Sequence, residues 1–442
     1  MKSITENISV AAFIPVKGKS ERIKNKNTKL LAGKPLFLHT LEKLASCLFI
    51  DEVFVDSESE EIFEMASHVN FTKFKRDESL ANNNTDGNKL FLNEIQATKA
   101  DICIQILCTS PFIKPETIQK GINILKNNSE YDSVVLVKKE KLYTWNSATK
   151  SPNYDVNNIP NSFNLEDTII ETMGLYIIRK EAALLTGLRI GNKPFLLEAD
   201  SFEAIDINYP EDFELAEFVI KGQREKEVLF FRQLKTLINS SMLSDILDEL
   251  NIDNKVISGL KLNLADQKIL GRAKTLKITE KKDSNLKDKN IYEALNSYET
   301  VNSGDIIAVE NELSEYAYFG SLNAGLAIRS GALAAIIDGK TRDSAEIKRL
   351  DFPVFSQGYS CKDIKNKGCV ASINKQICIK GVEIYPEDLI FGDNEGIIVI
   401  PKKYEEIIIQ KCYEIVEREN KVFLDITKGE EISGLRQKFG NF

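Results

Sequence analysis

Residues 11–27 read AAFIPVKGKSERIKNKN. The opening AAFIPV (11–16) has the length and apolar content of a strand buried on both faces. Past it the chain meets a glycine and gains five positive side chains, Lys17, Lys19, Arg22, Lys24 and Lys26. Backbone N–H groups of Lys17, Gly18, Lys19 and Ser20 in such a turn can converge on phosphate oxygens while the ammonium groups neutralise charge. Taken alone, the pattern is equally that of a solvated basic loop.

The same strand pattern recurs in EVFVD (52–56), DICIQIL (101–107), DSVVLVK (132–138) and GLYIIR (174–179), with PLFLHTLEKLAS (35–46) and ETIQKGINILKN (116–127) at helical spacing between them. This alternation predicts an α/β fold with a mainly parallel, Rossmann-like sheet whose ligand lies beyond the strands' carboxyl ends. The charged helical stretch AEFVIKGQREKEVLFF (216–231) places a join near residue 225, giving domains 1–225 and 226–442. In the second, MLSDILDELNI (242–252) reads as an amphipathic helix and KITEKKDSNLKDKN (277–290) as an exposed loop. GDIIAVE, AAIIDG, FPVFSQG, QICIKGVEIY and EGIIVIP form a second series of short strands, and EEIIIQKCYEIVEREN (405–420) a closing helix.

With 442 residues, 43% hydrophobic and 28% charged, the chain is neither disordered nor fibrous, and should form two or three domains. A net charge of −8 argues against a nucleic-acid partner, whose phosphates need clustered positive charge. There is no apolar run of about 18 residues and no signal-peptide pattern at the start, so a cytoplasmic protein without a membrane partner is expected. Seven cysteines without a C-x-x-C pair argue against disulfide scaffolding and zinc ribbons, and two histidines exclude a three-histidine metal site.

The basic loop continues into KLLAGKPLFLHT (29–40), followed by KRDESLA (75–81), TDGN (85–88), TSPF (109–112) and AIDINYPEDFELAE (204–217). In this order the motifs resemble the CMP-sialic acid synthetases, cytidylyltransferases that load sialic acids and related 2-keto sugar acids onto CMP. The resemblance implies a nucleotidyltransferase domain using CTP and Mg²⁺, with Lys17 catalytic. It assigns the nucleotide to Lys17, Gly18, Ser20, Lys26, Asn27, Arg76 and Asn88, and the metal to Asp206 and Asn208. Lys17 replaces a loop arginine common in the family, Asn208 a second acid, Leu107 and Cys108 a Q-P pair, and Ile113 an arginine. These changes touch the sugar side more than the cytidine side, so a related acidic sugar rather than N-acetylneuraminate is expected. His39 reads as a packing residue. Trp145, in a polar loop with Tyr143 and Tyr154, reads as an anchor more readily than as a sugar contact.

In the second half a strand AAIID ends in GKTRD, setting Arg342 and Asp343 side by side. Arginine grips a carboxylate bidentately and aspartate can hold a divalent cation. SDILDEL, LGRAKTL, SGDIIAV, GSLNA, DGKTRD, LDFPVF and YPEDLIFGDNEGIIVIP follow one another across residues 228–425. They resemble the family of regulator of ribonuclease activity A and 4-hydroxy-4-methyl-2-oxoglutarate aldolase. That implies a further α/β domain and a homo-oligomer. Gly320, Leu322, Asn323 and Arg342 would bind a keto acid, Arg342 would be catalytic, and Asp343 would hold Mg²⁺ or Mn²⁺. Ser321 stands where the aldolases carry an acid. Together the resemblances imply an enzyme of surface-glycan synthesis with CTP and an acidic keto sugar as substrates. The alternative is a cytidylyltransferase for a non-sialic acceptor joined to a non-catalytic binding module.

Overall fold

The computed structural model describes residues 8–20, 22–82, 84–281 and 290–440. The chain divides into two compact units, Met1–Val219 and Ile220–Phe442.

In the first unit, strands β1 (Val10–Pro15), β2 (Glu52–Ser57), β3 (Thr72–Lys75), β4 (Ile102–Ile106), β5 (Ser133–Glu140), β6 (Thr168–Arg179) and β7 (Pro194–Glu198) form one sheet in the order β3-β2-β1-β4-β6-β5-β7. All neighbours are parallel except β6, which runs antiparallel to β4 and β5. Side chains alternate across β1 and serve two cores. Val10, Ala12 and Ile14 pack with Phe37, Leu41 and Leu44 of α1 (Leu36–Ala45) and with Ile118 and Ile122 of the helix Pro115–Asn127. Ala11 and Phe13 face Phe54 and Phe91 on the other side, Phe13 stacking on Phe54 with ring centroids 4.7 Å apart. The direction of winding changes between β1 and β4, so the crevice at their carboxyl ends is the switch point.

β3 and β7 close the two edges and were not visible in the sequence. TKFK alternates lysine with small or aromatic residues and PFLLE opens on proline, the chemistry of protected edge strands. β6 begins six residues before GLYIIR. Its register with β5 shifts between Val135 and Val137, opposite Met173, which takes a left-handed φ of 61°.

Helix α2 (Pro210–Leu237) carries the chain from the first unit into the second. There, β8 (Val256–Ile257), β9 (Lys261–Leu262), β10 (Ile269–Glu280), β11 (Asp305–Asn311), β12 (Ala334–Ile337), β13 (Val354–Ser356), β14 (Gly368–Ile373), β15 (Leu389–Gly392) and β16 (Ile397–Ile400) make a nine-stranded sheet. Its order is β8-β16-β15-β10-β11-β12-β13-β9, with β14 also paired to β10. The stretch expected as a loop from 277 is corrected here. Residues 277–280 complete β10, with Ile278 fully buried and Lys277 bound outward to Glu310 at 2.7 Å. Residues 282–289 of that stretch lie outside the described residues. Among the described residues no helix is long and apolar enough to cross a membrane.

A buried ionic network ties α2 to this sheet. Arg224 pairs with Asp305 and with Glu227 (2.7 Å), Arg272 with Glu227 and Glu405, and Lys274 with Glu387 (2.8 Å). Burial pushes the Asp305 carboxyl up to about 6 although Lys274 and Arg224 oppose the shift. The strands approach too closely for side chains beside it, since a Cβ on Gly271 would lie 2.2 Å from the Gly304 carbonyl oxygen. Gly271→Ala should therefore force backbone apart and cost about 3 kcal/mol, read as a lower urea midpoint for unfolding.

Candidate functional sites

At the carboxyl end of β1 the chain enters the loop that carries Lys17, Gly18, Lys26 and Asn27. Three contacts fix this loop. Lys26 Nζ donates to the Ile207 carbonyl at 2.6 Å, Asn27 Nδ2 donates to the Lys17 carbonyl at 2.8 Å, and the Gly18 N–H donates to Glu58 Oε1 at 2.7 Å. The Cys108 thiol lies 3.4 Å from Asn27 Oδ1 and, pushed up to about 12 by burial, stays a neutral donor. It thereby orients the Asn27 amide. Lys26 is almost wholly buried, and burial lowers its ammonium pKa although Asp206 and Asp212 pull the other way.

The acidic segment arrives from β7. Ile207 N–H bonds the Thr109 carbonyl at 2.9 Å, anchoring residues 206–208 to the turn after β4. Asp206 Oδ2 accepts from Asn208 Nδ2 at 2.5 Å, while Asp206 Oδ1 is buried without a hydrogen-bond partner. Asp212 takes the N–H groups of Asn208 (2.9 Å) and Tyr209 (2.8 Å) at the start of α2. Among the described residues no three His, Cys, Asp or Glu side chains gather as a metal cage. One carboxylate with an orphaned oxygen beside an amide carbonyl is nonetheless an oxygen donor set that suits a hard divalent cation.

Lys17, Gly18, Ser20, Lys26 and Asn27 thus share one loop, and Lys26 brings Asp206 and Asn208 to it. Arg76 and Asn88 are engaged elsewhere. Arg76 is buried with Nε and Nη2 on Asp56 (3.0 and 2.7 Å), and Asn88 Oδ1 accepts the Arg189 N–H at 3.0 Å. Beside Asp56, burial first and then the neighbouring carboxylate raise the Glu94 carboxyl far above the usual range, and its Oε2 accepts from Gln105 at 2.7 Å. Sequence reasoning missed Asp56, Glu58, Glu94 and Arg189. The run VDSES directly after a buried strand was the available signal for the first two. It also missed a cavity of about 330 Å³ that includes Asp206, Lys138, Glu171, Thr172 and Met173.

In the second unit, Arg342 and Asp343 follow the strand pair at Lys340–Thr341. Asp343 adopts a left-handed φ of 55°, and its Oδ2 accepts the N–H (3.0 Å) and hydroxyl (3.1 Å) of Ser321, the first residue of helix α3 (Ser321–Ser330). Arg342 Nη1 donates to Asp363 Oδ2 at 2.7 Å, a partner not foreseen. A Cβ on Gly320 would sit 2.6 Å from Asp343 Oδ2, so glycine is what lets the pair lie against the helix start. Leu322 is 82% exposed, and Asn323 Nδ2 donates to the Tyr318 carbonyl at 2.8 Å. Gly320, Ser321, Arg342 and Asp343 come together; Leu322 and Asn323 contribute their place on the first turn.

Trp145 is 60% exposed and bridges to Pro152, while Tyr143 and Tyr154 pack edge to face at 5.0 Å. His39 Nε2 meets the Leu31 carbonyl at 2.9 Å, and burial together with the Lys34 charge lowers its pKa from 6.5 to about 4. The folded state therefore binds fewer protons than the unfolded chain between those values, and stability falls as pH drops through that window. His39→Gln should flatten the fall, by on the order of 2 kcal/mol, in urea unfolding compared at pH 7 and pH 4.5.

A cytidylyltransferase family model matches residues 11–185, and an Aldolase/RraA family model matches residues 240–399. A protein of Halalkalibacterium halodurans carrying the name 4-hydroxy-4-methyl-2-oxoglutarate aldolase is 34% identical over 189 residues, covering 42% of this chain and 84% of its own. CMP-N,N'-diacetyllegionaminic acid synthase of Legionella pneumophila is 29% identical over 232 residues, covering 49% of this chain and 98% of its own. Protein DlpA of the same species is 28% identical over 203 residues; the match covers 46% of this chain but 32% of that longer protein. The chain therefore belongs, through its second half, to the Aldolase/RraA family, and its first half is similar to the cytidylyltransferases, a nucleotidyltransferase domain matched by that family's model.

Proposed function

We propose that the first unit transfers cytidylate from CTP to the anomeric hydroxyl of an acidic 2-keto sugar acid, releasing pyrophosphate for surface-glycan synthesis in the cytoplasm. The observation that carries this is the junction at Lys26 and Ile207, which brings a loop of backbone donors and ammonium groups to a carboxylate with an unspent buried oxygen. Gly18, Ser20 and Asn27 would cradle the triphosphate. Lys17 would meet charge building on the phosphates as the bond between the α- and β-phosphates breaks and the acceptor oxygen bonds the α-phosphorus. Asp206, with the carbonyl of Asn208, would hold Mg²⁺ or Mn²⁺, which when bound neutralises pyrophosphate charge. Arg76 fits here as a support for the β2 terminus through Asp56, with Asn88 fixing Arg189 beside it.

For the second unit we propose metal-dependent cleavage of a 4-hydroxy-2-keto acid. Arg342 and the first-turn N–H groups of Leu322 and Asn323 would take the carboxylate, and Asp343 would hold the metal through water. A second reading, a non-catalytic module that assembles copies of the chain, is favoured by one feature: Ser321 replaces the acid and already occupies Asp343.

Pyrophosphate release from CTP and Mg²⁺ should appear with at least one member of a panel of sialic, octulosonic and diamino-nonulosonic acids. Silence with all of them would point to a non-sugar acceptor. Asp206→Ala should lower that rate about 100-fold or more, a loss of roughly 3 kcal/mol of transition-state stabilisation, with the chain still folded. In the second unit, Arg342→Ala should abolish pyruvate release from a 4-hydroxy-2-keto acid. Absence of release in the unmodified protein would favour the assembly module.

A further inference from the structure

We infer that Glu58 is a resident anion of the phosphate loop. Its carboxylate accepts the Gly18 N–H and has to leave it for a triphosphate to use that donor. This rests on the CTP reading of the first unit and adds a residue that sets its affinity.

The place is built for the contact. Glu58 follows the last residue of β2, and the Ser59 N–H bonds the Ser57 hydroxyl at 3.1 Å, fixing the turn that aims Glu58 at the loop. Across from it, a Cβ on Gly18 would lie 2.8 Å from Ser59 Cβ and 3.1 Å from Glu58 Oε1. Only a residue without a side chain lets the loop backbone come close enough to give its N–H to this carboxylate. The donor so occupied is one of the main-chain groups that a strand-to-loop phosphate site offers.

Glu58 is also weakly held. Oε1 takes the Gly18 N–H at 2.7 Å, while Oε2 is buried with no hydrogen-bond partner. A carboxylate short of donors gains by moving toward water. Asp343 in the other unit, with two donors on a single oxygen, is the contrasting case. A phosphate arriving at Gly18 would face the Glu58 charge at contact distance, where like charges repel strongly in a partly dehydrated site. Carboxylate and triphosphate are therefore alternatives at one donor.

The test is calorimetric titration of Mg²⁺ and CTP into the full chain, comparing the unmodified protein with Glu58→Gln and Glu58→Ala. Both variants should bind CTP about tenfold more tightly, and cytidine, which has no phosphates, with unchanged affinity. Gln can still accept the Gly18 N–H through its carbonyl. If Glu58 only braced the loop, Gln would match the unmodified protein and Ala would bind CTP more weakly, and that result overturns the inference. Weaker CTP binding in both variants would make Glu58 a cation ligand and would overturn it as well. Thermal unfolding checks that each variant is folded; if Ala is not, Gln decides. Failure of every form, the unmodified protein included, to bind CTP would refute the nucleotide reading itself, and this inference with it.

Discussion

One buried ammonium organises the N-terminal site. Lys26 reaches a main-chain carbonyl 181 residues away, at Ile207, and does so in surroundings that disfavour its charge. A lysine kept there needs acceptors and opposite charge around it. Those needs are met by the Ile207 carbonyl, by Asp206 next to it and by Asp212 farther along. The position of the acidic segment, the start of α2 and the cavity beside Asp206 all follow from where that one carbonyl has to sit. The loop after β1 is correspondingly stiffened from within, Asn27 holding the Lys17 carbonyl and Cys108 holding Asn27.

Central strands were legible because they are buried on both faces and so read as unbroken apolar runs; β1, β2 and β4 are of this kind. Edge strands were not, because protection of an edge demands the lysines and proline that disguise TKFK and PFLLE as loops. KITE at the end of β10 carried a two-residue alternation, Ile278 in and Lys277 out, but the charged residues after it masked the signal. Site residues divide in the same manner. Those on one contiguous loop, Lys17 to Asn27, could be read from local order. The partners that decide what a side chain does, such as Asp56 for Arg76, Asp363 for Arg342 and Glu58 for Gly18, lie 20 to 40 positions away and share no periodicity with it.

The two candidate sites hold their ionisable groups differently. In the first unit they are sunk, the charged Lys26 and Arg76 and the Glu94 carboxyl being nearly or fully buried and locked by partners, which favours a fixed arrangement. In the second, Arg342 and Asp343 are each more than a third exposed, and solvent weakens their attraction for one another. Such a pair derives its geometry from the backbone, from the left-handed turn at Asp343 and the bare Cα of Gly320, more than from its own charge.

Helix α2 has separate obligations along its length. Near its beginning Asp212 caps the segment that carries Asp206, and Phe213 lies under the Lys29 ammonium at 4.2 Å; farther on, Arg224 and Glu227 enter the ionic network of the second unit. The span Pro210–Leu237 is one unbroken helix. Cutting the chain within this helix would therefore strip the contacts of its first turns from one product or those of its later turns from the other.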